Sequence, residues 1–149
     1  MEGKTNMKKI LFLLLLPITC FAQNEISHLG ESGTRRISSV IEQGVDSYWI
    51  NRDLIQDSDR YGSFLNLNAD GTFTSWNTAP CGNDCFYRSH GTFKKVDETH
   101  IRLQINSSSQ LGYCPGGGIV DTKPRDLGIF EIKSKSSEHA YELIKVNNK

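Results

Sequence analysis

The chain has 149 residues, 37% of them apolar, and its 17 Lys+Arg are balanced by 17 Asp+Glu. That length suits one domain with a real core. Mixed charge, with no basic block and no Lys/Arg stripe interleaved with aromatics, gives no reason to expect a nucleic-acid partner.

The chain opens with a secretory pattern. Lys4, Lys8 and Lys9 precede an apolar run from Ile10 to Leu16, and Cys20-Phe21-Ala22 forms a small-residue exit before Gln23. A basic start, a short apolar stretch and a small–x–small step predict a signal peptide over 1–22, cleaved after Ala22. The run is far shorter than the ~20 apolar residues of a membrane span, so no transmembrane segment is expected. Cleavage removes three Lys and one Glu, leaving 14 basic against 16 acidic residues, a net charge of −2. The expected location is periplasmic or extracellular. The alternative is a membrane-anchored lipoprotein, because Pro17-Ile18-Thr19-Cys20 puts a cysteine where a lipid anchor attaches.

Residues 23–45 read as a polar N-terminal segment. Within it Arg35–Gln43 is predicted as a short helix capped by Thr34, with Ile37, Val40 and Ile41 at i, i+3, i+4 spacing. From residue 46 to 149 the pattern is all-β. Tyr48-Trp49-Ile50 and Gly62–Asn68 are strands, and Asn68-Ala69-Asp70-Gly71 is a turn into Thr72–Trp76. The loop Asn77–Phe86 follows. Tyr87–Val96 and His100–Ile105 flank the turn Asp97-Glu98-Thr99, and Ile101, Leu103 and Ile105 alternate with Arg102 and Gln104. Strict alternation marks a strand with one buried face. Gly112–Gly118 is a glycine-rich loop, and Ile119–Asp121, Leu127–Lys133 and Tyr141–Val146 complete the strands. About eight strands with short polar connections predict an antiparallel meander, closed as a barrel or folded as a sandwich.

Two phrases, Asp70-Gly71-Thr72-Phe73 after an alternating strand and Gly91-Thr92-Phe93 opening another, make the chain resemble the lipocalin-like (calycin) β-barrels over about residues 46–146. Gly44 and Trp49 stand five apart, so the Gly-x-Trp of that family's first strand is absent. The resemblance implies a barrel that holds a small apolar ligand. Its interior candidates are Trp49, Leu65, Leu67, Phe73, Phe93, Ile101, Leu103, Ile105, Phe130 and Leu143. The same residues also make an ordinary filled core.

The cysteines carry the sharpest geometric expectation. Without Cys20, three remain: Cys81, Cys85 and Cys114. In a meander the Asn77–Phe86 and Ser107–Gly118 loops share one end. Pairing Phe93 with Leu103 and extending the register outward sets Cys114 opposite residue 82. A disulfide from Cys114 to Cys81 or Cys85 is expected, with a local Cys81–Cys85 bridge as the competitor. With His90 the same thiols also form a zinc-type donor set, though their spacing matches no common zinc module. Asn66–Gly71 imitates half a calcium loop but reaches Asn77 where a carboxylate is needed. Asn106-Ser107-Ser108 matches a glycosylation acceptor. No nucleophile elbow, zinc-protease motif or phosphate loop occurs, and no enzyme activity or cofactor is expected. Two functions therefore compete. One is a carrier of a small apolar ligand. The other is an inhibitor- or immunity-type module binding a secreted or periplasmic protein at the cysteine-bearing end, through Trp76, Phe86, Tyr87, Tyr113, Asp84 and Arg88.

Overall fold

The computed structural model describes Leu29 and residues 31–56, 59–81, 83–135 and 138–147. The leader over 1–22, its cleavage site and Cys20 lie outside the described residues. Nine strands are described: β1 Gly33–Ile37, β2 Ser47–Leu54, β3 Gly62–Leu67, β4 Thr72–Thr78, β5 Cys85–Lys95, β6 His100–Gly112, β7 Ile119–Asp121, β8 Arg125–Lys135 and β9 Ala140–Lys145. Eight of them close an antiparallel barrel through a β5–β6 pairing, and β7 is an extra strand on β6.

The meander holds from β3 to β6 and on through β8 and β9, but the first two strands stand in exchanged places. β9 pairs with β2, β2 with β1, and β1 with β3. The barrel therefore begins at Gly33, ahead of residue 46, because the N-terminal segment contributes a strand. The chain between β2 and β3 must then cross the outside of β1. Arg36 on β1 pins that crossover: its guanidinium donates to the Tyr61 carbonyl and to the Asp59 carboxylate, each at 2.9 Å.

The predicted helix over Arg35–Gln43 is not formed, and residues 31–56 contain no helix. Ile37, Val40 and Ile41 are nonetheless all buried. Ile37 points inward from β1, and Val40 and Ile41 tuck into one end of the barrel. A helical spacing of apolar residues here reflects a strand followed by an inserted loop.

Local chemistry explains the hairpins. Asn68–Gly71 closes the β3–β4 turn with the Gly71 amide donating to the Asn68 carbonyl at 3.1 Å, and Gly71 takes φ 81°. The Asp70 carboxylate accepts from the Thr72 amide at 2.9 Å, and its bonds to Thr72 hold it below the usual carboxylate range. It thus serves the turn, while Leu67 beside it is buried in β3. At Gly91 a Cβ would meet the Phe73 ring at 2.6 Å as well as the Gln104 carbonyl oxygen. The Gly91-Thr92-Phe93 phrase follows from that close approach, since only glycine lets the ring lie against β5.

The core is the barrel interior. Leu65, Leu67, Phe73, Ile101, Leu103, Ile105, Phe130 and Leu143 all lie in one buried cluster, and Phe93 packs half-buried against it. Trp49 does not belong to it. It sits on the outer face with the Lys135 ammonium 3.8 Å from its ring centre, while Tyr48 and Ile50 point inward. Three large apolar residues in a row gave the alternation no way to choose, and the neighbours decide it.

Candidate functional site

Each end of the barrel is closed differently. At the end where β1 starts, Arg35 is 1% exposed. It donates to the main-chain oxygens of Glu31 at 2.9 Å and Arg52 at 3.3 Å. Burial pulls its guanidinium below the ordinary arginine range, and the nearby Glu31 carboxylate opposes that shift.

The opposite end is the mouth, and there the loop between β1 and β2 enters the barrel. Ile41 is 1% exposed, and its main chain is held by two buried serines. The Ile41 amide donates to Ser75 Oγ at 3.1 Å, and Ser89 Oγ donates to the Ile41 carbonyl at 2.7 Å. Ser75 Oγ also donates to the Phe64 carbonyl at 3.0 Å, so both hydroxyls are satisfied. Buried hydroxyls without partners would be costly; these two instead fix a plug. Sequence periodicity treats an inward serine as a flaw in the apolar face and offers no signal for this role.

Tyr48 completes the anchorage. Its hydroxyl donates to the Glu42 carbonyl at 2.9 Å and accepts from the Glu42 amide at 3.1 Å. Burial pushes its phenol up to about 12. The unfolded chain releases this proton near pH 10 and the folded chain only near 12, so stability holds up to pH 10 and falls between those values. The corresponding loss across that interval is about 2–3 kcal/mol. Tyr48→Phe is expected to flatten this part of a pH–denaturation profile, and an unchanged profile would remove Tyr48 as the cause.

Beside the plug lies a cleft of about 200 Å³. One wall is the plug itself, with Val40, Ile41 and Glu42, and the other rises from β5, β6 and β7. This wall exists because β6 changes partner. Its first half pairs with β8, and Ser108–Gln110 pair with Asp121–Ile119 of β7. Tyr87, Gln110 and Ile119 lie in register across it. Ile105, fully buried, forms part of the floor. Arg125 closes the side: it donates to Ser108 Oγ at 2.6 Å and pairs with Asp121 at 3.3 Å, while its Nε is buried with no partner among the described residues. Of the ten interior candidates only Ile105 borders this cleft. Apart from Trp49, the others face one another in the core.

The cysteines gather at the same end. Cys85 and Cys114 form a disulfide with Cα atoms 4.6 Å apart, and Cys81 is free and exposed. Phe93 does pair with Leu103. A bulge between His90 and Gly91 then shifts the register, so that Cys85 faces Gly112 and Cys114 follows two residues later. With two thiols joined, the three-cysteine donor set with His90 is not assembled, and His90 Nδ1 instead meets Thr74 Oγ1 at 3.0 Å on the outer wall. Among the described residues no helix is long and apolar enough to cross a membrane. Against known proteins, no family model, curated protein or solved structure matches the chain.

Proposed function

We propose that this chain is an exported, lipocalin-like binding module whose small ligand sits in the mouth cleft, above a filled barrel. The observation that carries this reading is the junction of core and cleft at Ile41 and Ile105, with Arg125 beside them. Apolar surface receives the body of a ligand, and the polar rim of Ser108, Ser109 and Gln110 receives a polar head. At about 200 Å³ the cleft is smaller than the ~300–1,000 Å³ of usual pockets, so the ligand is small. A medium-chain fatty acid is the natural probe. Octanoate is expected to raise the melting temperature, with stabilisation growing as the logarithm of its concentration and reaching about 2.7 kcal/mol at one hundred times Kd. Gln110→Trp, which fills the cleft from β6, is expected to abolish that gain. Equal stabilisation of the filled variant, or none of the parent, would overturn the reading.

A second reading rests on a separate observation. Leu111, Tyr113, Ile119 and Val120 are 50–75% exposed at this same end, and among the described residues β7 is hydrogen-bonded to a strand on one side only. Apolar residues beside an unpaired strand edge favour a secreted protein partner that adds a strand. A protein co-purified from the exported fraction and lost on Val120→Lys, with octanoate inert, would favour this alternative.

A further inference from the structure

The outer wall of the barrel carries a side-chain pattern that the chain order conceals. Strand pairing puts Arg36, Phe64, Trp76 and Arg88 side by side on β1, β3, β4 and β5. The neighbouring row is Thr34, Asn66, Thr74 and His90. Phe64, although on the outside, is only 2% exposed. Trp76 covers it from one side, with ring centres 5.6 Å apart, and the Arg36 guanidinium lies 5.7 Å from its centre on the other. Trp76 is thereby seated on a rigid base. An open depression of about 380 Å³ is lined by Thr34, Asn66, Thr74, Trp76, Arg88 and His90.

The charges in this patch are one-sided. Neither row contains a carboxylate. Arg36 is neutralised by Asp59, but among the described residues the exposed Arg88 guanidinium has no hydrogen-bond or ion-pair partner. The polar row is held in place: Thr34 Oγ1 donates to Asn66 Oδ1 at 3.2 Å, and Thr74 Oγ1 meets His90 Nδ1 at 3.0 Å. That contact leaves His90 Nε2 available to a ligand.

We propose that this outer-wall platform is a binding site for an acidic saccharide. The C–H face of a pyranose is apolar and slightly electropositive, which suits the electron-rich face of an indole. Its hydroxyls match a row of amide, hydroxyl and imidazole groups. A sugar carboxylate matches the two-pronged guanidinium of Arg88, the strongest of the available pairings. The site is separate from the mouth seat and does not depend on it, although Arg88 also borders the mouth cleft.

The chain has two tryptophans, so Trp49→Phe leaves Trp76 as the only indole reporter. Titration of that protein with trigalacturonate is expected to shift and quench the emission. Cellotriose, the neutral comparison, is expected to bind about tenfold more weakly, as is trigalacturonate to the Arg88→Ala variant. Calorimetric titration of the chain with both tryptophans should give the same ranking. Calorimetric trigalacturonate binding should be unchanged in Gln110→Trp, whose mouth cleft is filled, which separates this site from the mouth. No response to either sugar, or equal binding by Arg88→Ala, would overturn the proposal. So would tighter binding of an oligothymidylate, since the platform would then stack bases.

Discussion

Leu103→Ala is expected to lower the free energy of unfolding by about 2–5 kcal/mol, and its neighbour Arg102→Ala by less than about 1 kcal/mol. One peptide bond separates the two residues, and the barrel wall places them in different media. Leu103 is 2% exposed within the central cluster, so truncation removes buried carbon and leaves a cavity. The neighbouring strands cannot collapse into such a gap, because the β6 pairings with β5 and β8 fix the spacing of the wall. Arg102 lies outside and pairs with Asp126, itself held below the usual carboxylate range by that contact. Both partners are exposed, and water screens most of what the pair contributes. Urea denaturation of the two variants measures the contrast. Equal losses would mean that the inward and outward faces of β6 are wrongly assigned.

The same strand shows why part of the fold was legible in the sequence and part was not. Ile101, Leu103 and Ile105 alternate with polar residues, so one half of β6 declares its faces. Asn106–Gln110 is polar throughout, and within that stretch inside and outside cannot be told apart. The bulge falls there: His90 faces Ser107 while Gly91 faces Ile105, so Asn106 has no partner on β5. The extended register therefore reached the right end of the barrel one residue out of step, and Cys85 is one of the two partners it offers Cys114. Strand order failed for a different reason. Whether β1 lies before or after β2 in the ring depends on what pairs with the chain's last strand, and no local pattern encodes that choice. Arg36, by holding the crossover, is part of the answer, yet its partners Asp59 and Tyr61 are more than twenty positions away. The platform of Arg36, Phe64, Trp76 and Arg88 was hidden likewise, since it reads across strands while the sequence reads along them. The plug was hidden by its own chemistry. Ser75 and Ser89 look like surface residues until a main chain arrives to use their hydroxyls.

Reduction of the Cys85–Cys114 disulfide is expected to cost about 3.5 kcal/mol, the chain-entropy value for a closed loop of this length. The sequence separation is 29 residues, and the cross-link spans the whole β5–β6 hairpin. In the folded protein the bond changes little, because Cys85 already faces Gly112 and the Tyr113 amide donates to the Asp84 carbonyl at 3.3 Å. Its effect falls on the unfolded chain, which regains the freedom to separate the two strands. Two signatures follow. The melting temperature drops by roughly 15 °C, and the denaturant m-value rises, because the reduced unfolded chain exposes more surface. Cys81→Ser provides the control. Its thiol is exposed and free, so that variant should stay within about 0.5 kcal/mol of the parent. Peptide mapping without reduction should recover Cys85 linked to Cys114, with Cys81 recovered unlinked. A Cys81–Cys85 link would contradict the register of β5 on β6 and, with it, the wall that shapes the mouth cleft.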